Sequence, residues 1–466
     1  MKKYLSIAAI VCTACPLLAQ TMPAEEAEYN QYGQKVVSHQ AQAKVQDGIL
    51  VFQAKNIDYK MWFDVRIQGE AAVFFGAPDF CAKTLNGAEN PNHIGTGMQI
   101  RRARFAVKAQ LDKNWYGEID TDWTSGIPEI KDAILAYNGV PGLEIKMGNF
   151  KENFSIQRNT TSRYLMFMER PMVTGLAPSR HLGINAVYSH DWFWVSGGVF
   201  GPELKGVEEM TAREDNNKDF GRNIGLSYTG KLVFRPLYKS KDAMLHVGGA
   251  FSWRNPKVSS TDGYRVARYS ARNSTSLNRK KYLDTDNIKG MDHEIAWTAE
   301  VAGFWKGLRY EAAYIARGAY LDQSINPIPA QWAKGWYAQA SQLLFGGRQN
   351  YDSDGAKPTR ITPGRDWGDI EIAARYELCD FNTANFYGGC AEAYALGINY
   401  YPTKNVKFSL NYQYNNNDRY ANGKGKLFVG YDAEGKPTKD YRYVVDAKGK
   451  AGVDYHMLAV RFQVAF

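Results

Sequence analysis

The last fourteen residues of the chain, VDYHMLAVRFQVAF, alternate between two faces up to the terminal Phe466. The apolar face consists of Leu458, Val460, Phe462, Val464 and Phe466, and the opposite face consists of Met457, Ala459, Arg461, Gln463 and Ala465. A period of two residues is that of a β-strand with one apolar face. The pattern leaves open whether this face packs in the core of a soluble sandwich or lies against lipid.

The same alternation recurs along the chain, and its polar faces are highly charged. In DIEIAARYEL (369–378), Glu371 and Arg375 oppose a face of apolar residues. In MWFDVRIQGE (61–70), Arg66 lies opposite another apolar face. Charged faces are too costly for the interior of a sandwich, but they suit the wall of a water-filled lumen whose outer face touches lipid.

Composition and the N-terminus favour the lipid alternative. Aromatic residues make up 14% of the chain, the mean hydropathy is −0.45, and no segment after the N-terminus has 18 consecutive apolar residues, which excludes a helical membrane protein. The opening MKKYLSIAAIVCTACPLLAQ has two lysines, a short apolar run and small residues near Ala19, and predicts a secretory signal over residues 1–19. An exported chain of this kind is typical of an all-β transmembrane barrel.

The pattern predicts about sixteen antiparallel strands in a barrel domain over residues 57–466. They are expected at 59–76, 97–112, 114–123, 129–139, 143–150, 180–189, 191–201, 220–230, 243–253, 293–306, 308–318, 332–345, 367–378, 391–401, 405–416 and 453–466. Short periplasmic turns alternate with long outer loops, as in bacterial barrels, although 346–366 is long and falls on the periplasmic side. Residues 20–56 are expected to form a polar periplasmic extension, either flexible or helical.

The formal net charge is +9, and its meaning depends on where the basic side chains point. In RRARFAVKAQ (101–110), three cations share one face, about 7 Å apart at successive same-face positions. Rings of basic side chains are how pores favour anions. The predicted pore-lining, anion-guiding residues are Arg66, Arg102, Arg104, Lys108 and Arg375.

A competing interpretation is that these cations are neutralised within the lumen. Glu118, Asp120 and Asp122 are predicted to face inward on the next strand. Lumen arginines often pair with acids on a neighbouring wall and then serve structure alone. The sequence does not decide between paired and free cations.

Several ordered motifs carry a family resemblance. They are Arg101-Arg102-Ala103-Arg104, Lys131-Asp132-Ala133, Gly148-Asn149-Phe150-Lys151-Glu152, Ser162-Arg163, Phe167-Met168-Glu169-Arg170, ARYEL (374–378) and GINYYPTKNVKF (397–408). From roughly residue 57 to the end, the chain resembles the phosphate-selective porin O and P family. The departures are Asn153, where family patterns often have proline, and Pro171 after FMER. The resemblance implies a sixteen-stranded, usually trimeric porin whose third outer loop folds inward.

Residues 151–179 are the expected constriction loop, and an ordinary surface loop is the alternative. The candidate cations of this segment are Lys151, Arg158, Arg163 and Arg170. By charge and family match, Arg158 and Arg163 are the residues expected at the narrowest point. Cys379 and Cys390 flank DFNTANFYGG between two strands, and export favours a disulfide that closes this loop.

The sequence therefore predicts a porin of the bacterial outer membrane that passes small hydrophilic solutes passively, with a preference for phosphate-like anions. The alternative is a structural or adhesive barrel whose long basic loops, such as 254–292, bind a partner. No catalytic residue, metal site or cofactor is expected. The expected partners are small anions, outer-membrane lipid and lipopolysaccharide, a homotrimer, and the barrel-assembly machinery through the terminal Phe466, but no nucleic acid.

Overall fold

The structure is a computed structural model that describes residues 31–36, 39–46, 48–76, 81–201, 203–204, 225–256, 265–445 and 451–466. The predicted signal and the first part of the N-terminal extension lie outside these ranges. Within them, no helix is both long and apolar enough to cross a bilayer.

Sixteen antiparallel strands form the body of the molecule, as the alternating pattern predicts. They are β1 (Lys60–Phe75), β2 (Gly97–Gln110), β3 (Trp115–Asp122), β4 (Glu129–Val140), β5 (Leu143–Lys151), β6 (Arg180–Ser189), β7 (Phe193–Phe200), β8 (Ser227–Phe234), β9 (Ala243–Arg254), β10 (Met291–Trp305), β11 (Leu308–Leu321), β12 (Gln331–Leu343), β13 (Asp369–Asn382), β14 (Tyr387–Thr403), β15 (Val406–Asn417) and β16 (Tyr455–Ala465). Each strand pairs with the next one along the chain.

The last strand closes the barrel on the first. β16 pairs with β1 from His456 opposite Phe75 to Ala465 opposite Arg66. Closure satisfies the hydrogen-bonding groups that an open sheet would leave exposed at its two edges. A wall of this kind is one of the two backbone arrangements that can cross a bilayer.

The two faces of the wall differ as the alternation requires. On β13 and β14, Ile372 and Leu396 are 47% and 60% exposed on the outside, whereas Glu371 and Asn399 are buried on the inside. Because successive side chains of a strand point to opposite faces, one period-two sequence supplies an apolar outer surface and a polar lumen together.

The described part of the N-terminal extension is a β-hairpin of Ala41–Gln46 and Ile49–Ala54. Its second strand pairs with the start of β1, where Val51 lies opposite Trp62 and Gln53 opposite Lys60. The expectation of a flexible or helical segment is therefore wrong for these residues. The hairpin continues the wall past the end of β16, because β16 stops opposite Arg66.

The described residues of the connections form short regular elements. Their helices include α1 (Ile156–Asn159) and three 3₁₀ turns, Ser162–Tyr164, Met172–Gly175 and Tyr441–Tyr443. Two-residue ladders pair Thr84–Leu85 with Ala88–Glu89, Val266–Ala267 with Ile288–Lys289, Ser270–Ala271 with Leu283–Asp284, Tyr351–Asp352 with Lys357–Pro358, and Gly430–Tyr431 with Pro437–Thr438.

The two ends of the barrel have different connections. One end, the turn end, carries links of two to eight residues such as 141–142 and 235–242, whereas the opposite loop end carries 152–179, 255–290 and 418–454. The exception is the link 344–368, the turn-end loop, which is long although it lies at the turn end.

The turn-end loop folds into the lumen instead of extending away from it. The indole Nε1 of Trp194 on β7 donates to the carbonyl of Asp354 at 2.8 Å, and the hydroxyl of Tyr351 lies 2.6 Å from Nδ1 of His246 on β9. Trp194 and His246 are both on the inner face of the wall. At its base, the Asp369 carboxylate accepts hydrogen bonds from the amides of Gly347 and Gly364 at 2.8 and 3.0 Å, which fixes the loop's course.

The predicted disulfide between Cys379 and Cys390 is not present, and both residues are thiols. Cys379 lies opposite Ala391, and Cys390 lies opposite Asp380. The two cysteines are thus offset by one residue across β13 and β14. Since neighbouring positions of a strand face opposite ways, one thiol points into the lumen and the other to the outer surface.

We expect both cysteines to react as free thiols once the protein is unfolded. Thiol-specific labelling in denaturant should modify Cys379 and Cys390 equally with and without prior reduction, whereas in the folded protein the buried Cys379 should resist labelling. Labelling that depends on a reductant would contradict this arrangement. Variants Cys379→Ser and Cys390→Ser, each measured alone, assign the signal to one thiol.

Candidate functional site

The segment 152–179 between β5 and β6, the constriction loop, lies inside the barrel. Phe154, Ile156 and Leu176 are completely buried, and the amide of Met172 donates to the carboxylate of Glu377 on β13. Glu377 lies on the inner face of β13, and a loop on the outer surface of the molecule could not contact it. The prediction of an inward-folded loop is confirmed, and the alternative of a surface loop is wrong.

A row of donors on the inner wall holds this loop. The loop is mostly irregular, so its buried carbonyls need partners from elsewhere. The donors and their carbonyl acceptors are Gln68 to Ser162 (3.4 Å), Gln463 to Arg163 (3.2 Å), Arg309 to Tyr164 (2.9 Å), Lys407 to Leu165 (2.7 Å), Asn399 to Met166 (2.8 Å), Arg461 to Met168, and Arg375 to Glu169 (2.9 Å). These inward-facing side chains form a cradle for the loop.

Arg375 is part of this cradle. Besides the Glu169 carbonyl, its guanidinium contacts the Glu377 carboxylate at 3.3 Å and lies 4.6 Å from the ring centroid of Phe167. The structure therefore places Arg375 under the constriction loop, where it positions the backbone. Its predicted role in guiding anions stays a prediction.

Arg104 and Lys108 lie on the inner face of β2, and both are paired. Arg104 contacts Asp120 at 2.5 Å and Asp132 at 3.2 Å. Lys108 contacts Asp64 at 3.0 Å and Glu118 at 3.5 Å. The competing interpretation of neutralised cations describes these two residues well.

Asp122, which the sequence also predicts as a partner for these cations, takes a local role instead. Its carboxylate accepts a hydrogen bond from the Thr124 hydroxyl at 2.8 Å, in the turn after β3. Asp132 on β4 replaces it, because strand register places Asp132 directly opposite Asp120.

Glu169 of the constriction loop is surrounded by three arginines. Its carboxylate lies 2.8 Å from Arg101, 3.5 Å from Arg102 and 2.8 Å from Arg461. Burial alone would raise the pKa of Glu169, but the three guanidinium groups hold that pKa well below its usual range. Arg102 also donates to the side-chain oxygen of Gln68 at 2.7 Å.

Arg66, Arg170 and Lys151 contact no carboxylate among the described residues. The guanidinium of Arg66 donates to the Ser162 hydroxyl at 2.8 Å, and Arg170 donates to two backbone carbonyls of its own loop at 2.6 Å. Lys151 ends β5 opposite Arg180 and has neither a hydrogen bond nor an ion pair within the described ranges. Arg180 itself is held by Asp132, at 2.9 Å through two nitrogens.

The two residues expected at the narrowest point behave differently. Arg163 reaches the wall and pairs with Asp64, with its guanidinium 5.9 Å from the ring centroid of Tyr164. Arg158 turns back and donates to the carbonyls of Thr174 and Ala177 at 2.7 and 3.0 Å, so it braces the loop.

Sequence reasoning did not select Glu169, Arg180 or Arg461 as site residues. Glu169 was visible only as part of the FMER motif, and Arg461 only as a charge on the inner face of the last strand. Their contact joins residues 292 positions apart, so only the closed barrel brings them together.

A closed sixteen-stranded barrel with an apolar outer wall, and with a long loop folded into a charged lumen, defines a porin-type membrane channel. Comparison with known proteins is consistent with this class. Residues 56–429 match the family model described as phosphate-selective porin O and P. The chain belongs to the phosphate-selective porin O and P family, whose members are outer-membrane channels for passive diffusion.

Two curated relatives show the extent of the sequence similarity. The chain is 24% identical to Porin O of Pseudomonas aeruginosa over 392 residues, which cover 77% of this chain and 84% of that protein. It is 23% identical to an uncharacterized protein of Caulobacter vibrioides over 326 residues, 68% of this chain but less than two thirds (63%) of that relative.

The solved structures support the fold alone, because sequence identity to them is low. The anion-selective porin from Comamonas acidovorans has a TM-score of 0.50 at 10% identity and covers 88% of this chain and 100% of its own. OmpT of Vibrio cholerae has a TM-score of 0.50 at 12% identity, covering 88% and 99%. In an outer-membrane barrel, the turn end faces the periplasm and the loop end faces the outside.

Proposed function

We propose that this channel prefers anions and that oxyanions such as phosphate pass close to Arg66, Lys151 and Arg170. The observation that carries this proposal is the excess of cations at the constriction. The carboxylates of Asp64, Asp132 and Glu169, together with Glu118, Asp120 and Glu70, are six acids that face seven cations. Arg66, Lys151 and Arg170 come in addition, without a carboxylate of their own.

A positive excess in a narrow lumen acts strongly on a passing ion. Two unit charges 4 Å apart interact with about 4 kcal/mol at an effective dielectric constant of 20, against about 1 kcal/mol in bulk water. This attraction offsets the free-energy cost of the hydration water that an anion loses on entering the constriction. A cation is repelled instead. Arginine also suits oxyanions, because its planar guanidinium can bind two oxygens at once.

The loops at the outer mouth support a channel more than an adhesive barrel. Within the basic outer loop, Tyr282, Leu283 and Ile288 are buried, and the Ser274 hydroxyl donates to Glu377 inside the barrel at 2.7 Å. The described residues of this loop are packed inward in this way, which favours a channel over an adhesive surface. Its arginines instead add positive charge above the lumen, which draws anions towards the opening.

The assembly partners remain part of this proposal. A homotrimer is supported by the solved OmpT of Vibrio cholerae, which is described as a trimer form. Recognition by the barrel-assembly machinery is supported by the terminal Phe466, whose ring is on the outer wall and whose backbone pairs with Val65 at 2.7 and 3.1 Å. We propose no catalytic activity.

The test is the reversal potential of single channels in planar bilayers across a KCl gradient, followed by addition of phosphate. We expect a potential of the sign that chloride selectivity produces, and a fall in chloride current at millimolar phosphate. A potential near zero would show that the lumen charges neutralise one another and that the channel is non-selective. Absence of conductance from a folded, inserted protein would contradict the channel itself.

A further inference from the structure

On β13, β14 and β15, the type of outward-facing side chain changes from row to row towards the loop end. Across these strands, Ile372, Ile398 and Leu410 form one outward row. Tyr376, Tyr394 and Tyr414 form a row closer to the loop end, with ring centroids 4.9 and 6.4 Å apart. An aliphatic band that ends in an aromatic row marks the boundary between the hydrocarbon layer and the lipid headgroups.

The next outward row, Leu378, Glu392 and Asn416, brings the first polar side chains onto this face, as expected at headgroup depth. Glu392 accepts hydrogen bonds from the Tyr376 hydroxyl at 2.7 Å and from the Asn416 amide at 2.9 Å. Asp380 lies one row further out, opposite Cys390. A carboxylate on the outer face of a barrel strand would be costly in hydrocarbon, so this row lies among hydrated headgroups.

Directly beyond this row, the first residue of β14 and two tyrosines of the loop 418–454 pack their rings together. Tyr387 and Tyr420 have centroids 4.8 Å apart with an interplanar angle of 18°, and Tyr441 lies 5.2 and 4.7 Å from them. Tyr387 lies opposite Asn382, two residues beyond the outward Asp380, so this tyrosine cluster is on the outer side of the barrel.

The tyrosine cluster keeps its polar groups available. None of its three hydroxyls has a hydrogen-bond partner within the described ranges. Arg419, next to Tyr420, likewise forms no ion pair or hydrogen bond there. Tyr387 is 46% exposed although its ring packs against two others.

We propose that the tyrosine cluster, with the polar row below it, is the docking surface for the sugar headgroup of an outer-leaflet glycolipid. Aromatic faces pack against the C–H face of a sugar ring, and free hydroxyls, a carboxylate and an arginine can bond to its hydroxyl and phosphate groups. The surface is continuous with the lipid-facing wall, so a lipid whose acyl chains contact the aliphatic row carries its headgroup to this height. This inference does not depend on the ion selectivity of the lumen.

The experiment measures lipid binding to the detergent-solubilised protein by native mass spectrometry, with two probes. One probe is lipopolysaccharide with its core oligosaccharide, and the other is lipid A, which lacks that oligosaccharide. We expect the variant Tyr420→Ser/Tyr441→Ser to bind the core-bearing lipid at least about fivefold more weakly than the unmodified protein. Binding of lipid A should be the same for both proteins.

Matched variants separate recognition from folding. Tyr238→Ser removes an exposed tyrosine at the opposite, turn end and should leave binding of both lipids unchanged. Tyr441→Phe keeps the stacked ring and should lose less affinity than Tyr441→Ser. Equal binding of the core-bearing lipid by the double variant would overturn the proposal. So would an equal loss for lipid A, or a change of oligomeric state, which would make this face a subunit contact.

Discussion

Replacing Lys151 with glutamate should reduce the chloride-to-potassium permeability ratio at least about tenfold. Lys151 ends β5 in the constriction without a partner among the described residues, and the positive charges of Arg170 and Arg180 act on it. At an effective dielectric constant of 20, a change of two charge units at this point alters the electrostatic energy of a passing ion by more than about 1.4 kcal/mol. An energy of this size corresponds to a tenfold change in the permeability ratio. Reversal potentials across a KCl gradient measure the ratio.

The control for this change is Lys334→Glu, which alters charge by the same amount on the outer wall. Lys334 is an exposed residue of β12 that faces away from the lumen. It should leave the reversal potential unchanged. Lys151→Met should fall between the unmodified channel and the glutamate variant, since it removes one charge instead of two. An unchanged potential in Lys151→Glu, with the barrel folded, would place the selectivity-determining cations elsewhere.

The barrel was predictable because its information is local. Each strand carries its own alternation, and the chain repeats it often enough that errors at single strands do not affect the class. The eighth strand shows the limit, since it was expected at 220–230 and is found at Ser227–Phe234. The period-two pattern does not mark the first residue of a strand when the preceding loop is also polar. The alternation of YTGKLVF continues the strand further towards the turn than expected.

Errors elsewhere have the same local origin. The hairpin strand AQAKVQ has small residues on one face and no large apolar side chain except Val45, so its alternation is weak. For the cysteines, the expected disulfide rested on their position at the two ends of one loop and on export. Their orientation depends on the cross-strand register, which pairs Asp380 with Cys390 and is not encoded in the spacing.

The constriction was predictable in outline and not in detail. The cations of β2 and the inward loop were expected from charge and resemblance. Whether a cation is paired depends on partners that are distant in sequence. The partner of Arg104 is Asp132, two strands away, and Arg375 on the wall binds the Glu169 carbonyl of the loop. Three-dimensional closure creates these contacts, and a linear pattern does not contain them.

Replacing Arg461 with methionine is expected to lower barrel stability by about 3–5 kcal/mol and to loosen the constriction loop. Arg461 binds Glu70 of β1 at 2.6 Å, Glu169 of the loop at 2.8 Å, and the Met168 carbonyl. Its loss leaves the buried Glu70 and the half-buried Glu169 with less compensation and frees one loop carbonyl. Unfolding in denaturant, followed by the heat-modifiable mobility of the folded barrel on gels, measures the stability, and single-channel recordings measure the loop.

The looser loop should appear as a larger and noisier conductance, because the segment that narrows the lumen loses a wall contact next to Glu169. Arg442→Met serves as the control, since Arg442 pairs with Asp440 in an exposed outer loop and should leave both stability and conductance unchanged. Arg461→Lys should recover part of the stability, because it restores one charge but not the fork that reaches both acids and the carbonyl. If Arg461→Met loses stability while its conductance and noise stay the same, the remaining cradle is sufficient to hold the loop, and Arg461 serves the closure of β16 on β1 alone.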